Sequence, residues 1–169
     1  MKTAMPLIIG LLALSQNVSC TAEKSDSKPI RTTWRELADN PKEFAGKRVS
    51  LVGVFVLGFE TALVVSPINP DKTDFKECIW FDYAKFPVSE KNERGFDKLF
   101  EALEEASQGL NFSESKQVIV HAEGKFLYTP ATKKHPLPGF GHLGAFSSSL
   151  ELERVHSAKP FRKTLKSPR

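Results

Sequence analysis

The chain has 169 residues, of which 40% are hydrophobic, and a formal net charge of +4 at pH 7. Lys2 supplies one positive charge and the segment from His156 to Arg169 supplies five, so the residues between carry a net charge of −2. That charge argues against a central region that wraps nucleic acid, and the length suits one domain with one core.

Residues 1–20 have the pattern of an export signal. Lys2 precedes the apolar run 6–14 (PLIIGLLAL), which is too short for a membrane span of about 20 residues. Residues 21–30 are polar and have no large apolar side chain before Ile30, which predicts a flexible tether.

The end of the signal resembles the lipobox of bacterial lipoproteins, in which a cysteine is acylated and the chain is cut before it. Val18 and Ser19 precede Cys20 as the motif requires, while Asn17 stands where the family prefers leucine. The resemblance implies lipidation of Cys20 and anchoring to a membrane of the cell envelope. Thr21 replaces the aspartate that retains many lipoproteins at the inner membrane, which favours the outer membrane. The alternatives are a soluble periplasmic or secreted protein and an uncleaved anchor.

Residues 33–46 predict two short helical turns at the start of a domain that extends over 31–156. Thr33 and Glu36 have the spacing of a capping box, so the first turn should run through Leu37. Asn40 and Pro41 suit the N-cap and first position of the second turn.

Five strands and one longer helix are predicted after these turns. The alternating or apolar segments that predict strands are residues 48–57, 61–66, 78–83, 117–128 and 146–155. Residues 93–108 form the helix, with Phe96, Leu99, Phe100 and Leu103 at helical spacing. Gly53 and Gly124, inside the two long strands, predict a bulge or sharp bend. Residues 157–169 predict a disordered basic tail.

The order of three strands, a helix and two strands resembles the OB-fold, an all-β, five-stranded Greek-key barrel with one helix. The segments LADNPKEFAGKRVSLVG and GFGHLGAFSSSLELERV also resemble a group of uncharacterised exported bacterial OB-fold proteins. This resemblance covers residues 31–156 and is most specific at residues 141–146. It implies the fold and export, and it implies no activity.

The loop at 129–145 carries the candidate ligand-binding residues. In OB-folds this loop and the one between the first two strands flank the ligand face, which would here include the first three strands and the loop at 58–60. The candidates within the loop are Lys133, Lys134, His135, Phe140 and His142. The structural alternative is a solvated loop that needs glycine for its turns, with His142 bonded to a backbone carbonyl.

No catalytic or metal-binding motif is evident. The four histidines have no metal-ligand spacing, and no phosphate loop, nucleophile elbow or zincin motif occurs. Ser147–Ser149 lie near His142, but hydroxyls at a strand start usually pair locally. We therefore expect a non-enzymatic protein without a cofactor or bound metal.

The two cysteines leave two states open for Cys78. If Cys20 is acylated, Cys78 is a buried, inert thiol in an apolar strand; if Cys20 is retained unacylated, a disulfide between them becomes possible.

The sequence predicts an exported, lipid-anchored OB-fold binding module of the cell envelope. One alternative is a soluble periplasmic or secreted domain that binds a small anionic or oligomeric ligand. The other is a single-stranded nucleic-acid-binding OB-fold, with strand aromatics such as Phe55, Trp80 and Phe126 as stacking platforms. We regard nucleic acid as the weakest of these, because strand aromatics usually lie in the core and the central charge is negative.

Overall fold

The computed structural model describes residues 28–58, 60–68, 70–83, 90–109, 114–137 and 139–161. The signal, most of the tether and residues 162–169 lie outside this part. The described chain is mostly β-structure with few helices. Its strands are β1 (Ile30–Arg31), β2 (Arg48–Gly58), β3 (Thr61–Val65), β4 (Ile79–Asp82), β5 (Lys116–Tyr128) and β6 (Ser148–Pro160). Its α-helices are α1 (Trp34–Asp39), α2 (Pro41–Phe44) and α3 (Glu90–Ser107).

The six strands form one mixed sheet in the order β1-β2-β3-β4-β6-β5, and β2 also pairs with β5. This extra pairing runs from Arg48 opposite Lys125 to Leu57 opposite Lys116 and makes the sheet ring-like. β4 and β6 are parallel, whereas β2, β3 and β5 make antiparallel pairs with their neighbours in the ring. The length of β2 matters here, because its first half contacts β5 while its second half contacts β3 and β5 together.

The main core lies between the strands and α3. Phe55, Phe81 and Phe126 are almost completely buried in it, as expected for aromatic residues on the inner face of a sheet. This burial removes these three rings from the set of stacking platforms that a nucleic acid would use.

Helix α3 buries most of the face that its spacing predicts, and Phe100 is the exception. Leu99 and Leu103 are buried as expected, but Phe100 is 52% exposed and contacts Phe96 at a ring-centroid distance of 5.7 Å. The buried stripe also includes Gly95 and Ala102, whose small size lets the helix approach the sheet closely. A Cβ atom on Gly95 would lie only 2.4 Å from the backbone oxygen of Val155 in β6.

The first helical turns follow the sequence closely. Glu36 N–H donates to Thr33 Oγ1 at 3.1 Å and Thr33 N–H donates to Glu36 Oε2 at 2.8 Å, which confirms the capping box. Pro41 begins α2 as expected, although the Asn40 side chain makes no capping hydrogen bond there. No helix among the described residues is long and apolar enough to span a bilayer.

Both ends of the domain extend beyond the predicted boundaries. Ile30 and Arg31 form β1, parallel to β2, although Ile30 was assigned to the tether. At the other end, β6 continues to Pro160, and Phe161 N–H donates to the Gln117 carbonyl at 2.9 Å. Residues 157–160 are therefore strand, and a disordered tail beginning at 157 is wrong for them. The pairing of β5 and β6 shifts register at His121/Ala122 and at Glu123/Gly124. These shifts break the alternation of inward- and outward-facing side chains from which a strand is predicted.

A second, smaller apolar cluster lies apart from the main core. Val54, Leu63, Val65, Cys78 and Phe146 form its buried part, and Phe140 and Phe161 pack against it. It fixes the loop before β6 and the end of β6 on the sheet.

Candidate functional site

An open cleft of about 450 Å³ lies where β2 turns into β3, beside the end of β4. Leu57 and Ala62 contribute apolar surface. β4 contributes Trp80, Phe81 and Asp82, and Tyr83 follows directly after this strand. Gly141 and His142 from the loop before β6 complete the lining. The cleft thus collects residues from three strands and two loops that are far apart in the sequence, and its size is typical of small-molecule sites.

The wall formed by residues 139–146, which we call the glycine loop, is held by its own backbone. Phe140 and Phe146 exchange two hydrogen bonds of 3.2 and 3.1 Å, and Gly139 N–H donates to the Gly144 carbonyl at 2.9 Å. These bonds close the loop on itself, so that His142 stands at its tip beside the cleft. Leu143, next to it, has a left-handed φ of +53° and is 76% exposed.

Gly141 is the residue that brings this loop against the sheet. Its φ of 70° and ψ of −163° lie in a region that is essentially restricted to glycine. A Cβ atom there would lie 2.5 Å from Trp80 Cε3 and 2.6 Å from a ring carbon of Phe146. The loop backbone therefore rests directly on two aromatic rings, which are themselves in contact at a centroid distance of 5.5 Å.

His142 joins the two loops that flank the cleft. Its Nε2 lies 3.2 Å from Glu60 Oε2, and Glu60 belongs to the turn between β2 and β3. Both side chains are about half exposed, so we expect this contact to add little to stability. The contact brings the side chains of the two loops together at the cleft mouth. In the structural alternative to ligand binding, the predicted partner of His142 was a backbone carbonyl rather than a carboxylate.

The ionisable groups that line the cleft are mainly acidic. Glu60 and Asp82 supply two carboxylates, and among the described residues no lysine or arginine contributes to the lining. The aromatic groups are Trp80, which is half-buried, and Tyr83, which is 40% exposed. Tyr83 contacts Phe55 of the core edge-on, at a centroid distance of 6.4 Å. The arrangement can therefore offer a negative potential beside π-faces.

The structure separates the five candidate residues predicted from the loop. His142 lines the cleft, whereas Phe140 packs against the smaller apolar cluster. Lys133, Lys134 and His135 are exposed on a turn in which Thr132 N–H donates to the His135 carbonyl at 2.8 Å. None of these three lines the cleft or a second recess of about 430 Å³, whose lining includes Lys76, Tyr128, Pro136 and Ser148.

Glu60, Asp82 and Tyr83 are absent from the candidate site residues predicted from the sequence, and Trp80 appears there only as a stacking platform for nucleic acid. The available signal was the location of Glu60 in the tight turn at 58–60 and of the other three on the third predicted strand. Both elements belong to the expected ligand face.

A second polar group lies on another part of the sheet and involves two histidines. Ser50 Oγ and His121 Nε2 are 3.0 Å apart, and the rings of His121 and His156 stack with a centroid distance of 4.6 Å. His156 Nε2 in turn lies 2.7 Å from Glu123 Oε1. The described residues contain no group of three or more histidine, cysteine or acidic side chains arranged to hold a metal ion.

The stability of the fold should depend on pH through His121. Burial above all, then the neighbouring His156 and Arg31, lower the pKa of His121, and Glu123 opposes them. The unfolded chain takes up this proton near the ordinary value of 6.5, whereas the folded protein takes it up only at lower pH. The contribution to stability is thus fully present above pH 6.5 and is lost as the pH falls below it. Its slope cannot exceed about 1.4 kcal/mol per pH unit, the limit for one proton.

His121→Gln tests this pH dependence. Glutamine retains a hydrogen-bonding group for Ser50 but cannot titrate, so urea unfolding between pH 5 and 7.5 should show a shallower rise of stability with pH. His135→Gln, on the exposed turn, serves as the control and should keep the wild-type slope. Equal slopes in wild type and His121→Gln would contradict the assignment.

Cys78 is a buried residue without the environment of a reactive thiol. It is 6% exposed, and burial first, then the charges of Asp74 and Glu77, raise its pKa to about 11. Its Sγ lies 3.5 Å from the Asp74 carbonyl. Cys20 lies outside the described residues, so a disulfide between the two stays a prediction.

No protein-family model, curated protein or solved structure matches the chain. The cleft is therefore interpreted from its own geometry.

Proposed function

We propose that this protein is an exported, lipid-anchored binding module of the cell envelope, built on an OB-fold-like barrel, and that the cleft beside Trp80 is its ligand site. The observation that carries the proposal is the lining of the cleft. It combines the β2–β3 turn, the faces of β3 and β4 and the loop between β5 and β6. These are the elements that OB-folds use to bind their ligands.

The strand pairing supports the fold assignment. When the two-residue β1 is set aside, the five longer strands follow one another around the ring as β2-β3-β4-β6-β5 and back to β2. A five-stranded Greek-key barrel in which the third and fifth strands are parallel has this order, and α3 lies between the third and fourth strands in the chain.

The chemistry of the cleft favours a small ligand over a nucleic acid. Nucleic-acid-binding OB-folds line their face with basic groups and exposed aromatics, since phosphate contacts supply most of the affinity. Here the described lining has carboxylates and no basic residue except His142. The same feature argues against a small anionic ligand.

The anchoring part of the proposal depends on Cys20 and is tested separately from binding. Membrane partition and intact mass should be measured for the wild-type protein and for Cys20→Ala expressed in a bacterial host. We expect a mass that begins at Cys20 with added acyl chains, and loss of both acylation and membrane association in Cys20→Ala. A non-acylated wild-type protein in the soluble fraction would exclude the anchor and favour the soluble periplasmic or secreted alternative.

A further inference from the structure

We propose that the ligand of the cleft is an organic cation, an amine or quaternary ammonium compound with a flat apolar body. This inference rests on the proposed function, because it assigns a chemical class to the ligand of the same site. It follows from three features of the described residues, namely the sign of the charges, the aromatic surfaces and the apolar floor.

The sign of the charge selects against anions. The carboxylates of Glu60 and Asp82 both line the cleft, and the described lining has one imidazole, His142, and no lysine or arginine. Glu60 already contacts His142 through one oxygen, but an ionised carboxylate accepts about four hydrogen bonds in all. An ammonium group can therefore approach these carboxylates without displacing the contact between Glu60 and His142.

The aromatic surfaces suit a cation in particular. Trp80 and Tyr83 belong to the same strand end, and Trp is the side chain whose π-face attracts cations most strongly. Each ring has an aromatic neighbour of its own. Trp80 packs against Phe146, and Tyr83 contacts Phe55, so their orientations are set before a ligand arrives. Preorganised rings lose little conformational entropy on binding.

The floor favours a ligand with an apolar body rather than a small inorganic cation. Leu57, Ala62 and Phe81 line the cleft from β2, β3 and β4. A hard metal ion prefers a full set of carboxylate, carbonyl and water ligands, and the described residues contain no group of three or more histidine, cysteine or acidic side chains arranged to hold one. An apolar body would gain affinity there by leaving water.

The experiment compares three small probes that share a phenethyl body and differ in charge. Phenethyltrimethylammonium, 2-phenylethanol and 2-phenylethanesulfonate are titrated into the full chain carrying Cys20→Ala, and binding is followed by the indole N–H signals in ¹H–¹⁵N spectra. The chain has two tryptophans. Trp80 reports the cleft, while Trp34, 4% exposed in the main core, is the internal control.

We expect the ammonium probe to shift the Trp80 signal with at least tenfold higher affinity than the alcohol, and the sulfonate to bind more weakly than either. Asp82→Asn and Glu60→Gln should each lower the affinity for the ammonium probe about three- to tenfold and leave the alcohol unchanged. Glu101→Gln, which removes the same charge from the exposed face of α3, should change neither.

The outcomes separate the two levels of the proposal. If the alcohol binds at Trp80 as tightly as the ammonium probe, or the sulfonate binds best, cation selectivity is wrong while the cleft stands as a binding site. If none of the probes moves the Trp80 signal at millimolar concentration, the cleft is not a ligand site and the binding part of the proposed function also falls.

Discussion

Gly124→Ala should destabilise the protein by about 3 kcal/mol or more, measured as the free energy of unfolding in urea. A Cβ atom on Gly124 would lie 2.2 Å from the backbone oxygen of Glu151 and 3.0 Å from its carbonyl carbon. Such a contact cannot be relieved by rotating a side chain, because the obstacle is the backbone of the neighbouring strand. One of the two strands must move.

The position of Glu151 makes that movement costly. This residue pairs with Lys125 of β5 on one side and with Asp82 of β4 on the other, so a shift of its backbone disturbs two ladders at once. Leu150, adjacent to it, is completely buried, and its Cδ1 would lie 3.2 Å from the new methyl group. We therefore expect the strain to spread into the main core.

Gly58→Ala is the matched control, because it adds the same methyl group to a strand glycine at a tolerant site. Its closest neighbour would be Ser115 Oγ at 2.8 Å, an exposed hydroxyl that can rotate away. Gly58→Ala should change the free energy of unfolding by less than about 1 kcal/mol. If the two variants unfold at similar urea concentrations, the close approach of β5 and β6 at Gly124 is contradicted.

The regular elements of the fold are predictable from the sequence because their signals are local. The capping box at Thr33, the strands β2 to β6 and α3 all follow from residue types and spacing within one element. The bulge or bend predicted at Gly124 is confirmed, since this residue lies at a register shift of the β5–β6 pair. The sequence could not tell which neighbour requires the glycine, because Glu151 is 27 residues away.

The later part of β6 shows why the boundaries were harder to predict. Two register shifts place consecutive residues such as Glu153 and Arg154 outside a simple inward–outward alternation. A period-two pattern therefore ends at Val155, although the backbone ladder continues to Pro160. In α3, the exposure of Phe100 likewise differs from what the sequence pattern predicts. Its spacing is helical, but the close approach at Gly95 rotates the buried stripe away from it.

The site was only partly predictable because its parts meet through tertiary packing. The glycine-rich segment around His142 was identifiable from composition alone. Its partner Glu60 lies 82 positions earlier in the chain, and no local pattern connects them. The lysines of the same loop look equally suitable in sequence, but they lie on a turn that does not line the cleft.

Gly141→Ala should destabilise the protein by about 2–4 kcal/mol and abolish the cleft as a binding site. The substitution combines two costs. Alanine is excluded from the backbone conformation of Gly141, and its methyl group would overlap the rings of Trp80 and Phe146. The glycine loop must therefore lift from the sheet, which removes Phe146 from the smaller apolar cluster and His142 from the cleft mouth.

Gly46→Ala separates these two costs. Gly46 also has a left-handed φ, of +77°, but nothing lies within 4 Å of a Cβ atom placed there. In this control the free energy of unfolding should fall only by the cost of the left-handed backbone, about 1–2 kcal/mol, and the environment of Trp80 should not change.

In ¹⁹F spectra of protein labelled with 5-fluorotryptophan, Gly141→Ala should shift the Trp80 resonance and leave that of Trp34 in place. Affinity for the ammonium probe should fall at least tenfold in Gly141→Ala and stay at the wild-type value in Gly46→Ala. Equal effects of the two substitutions on stability and on the Trp80 resonance would mean that the loop does not rest on the two rings. The glycine at 141 would then serve the turn alone, and the cleft would lack the wall on which the proposed ligand site depends.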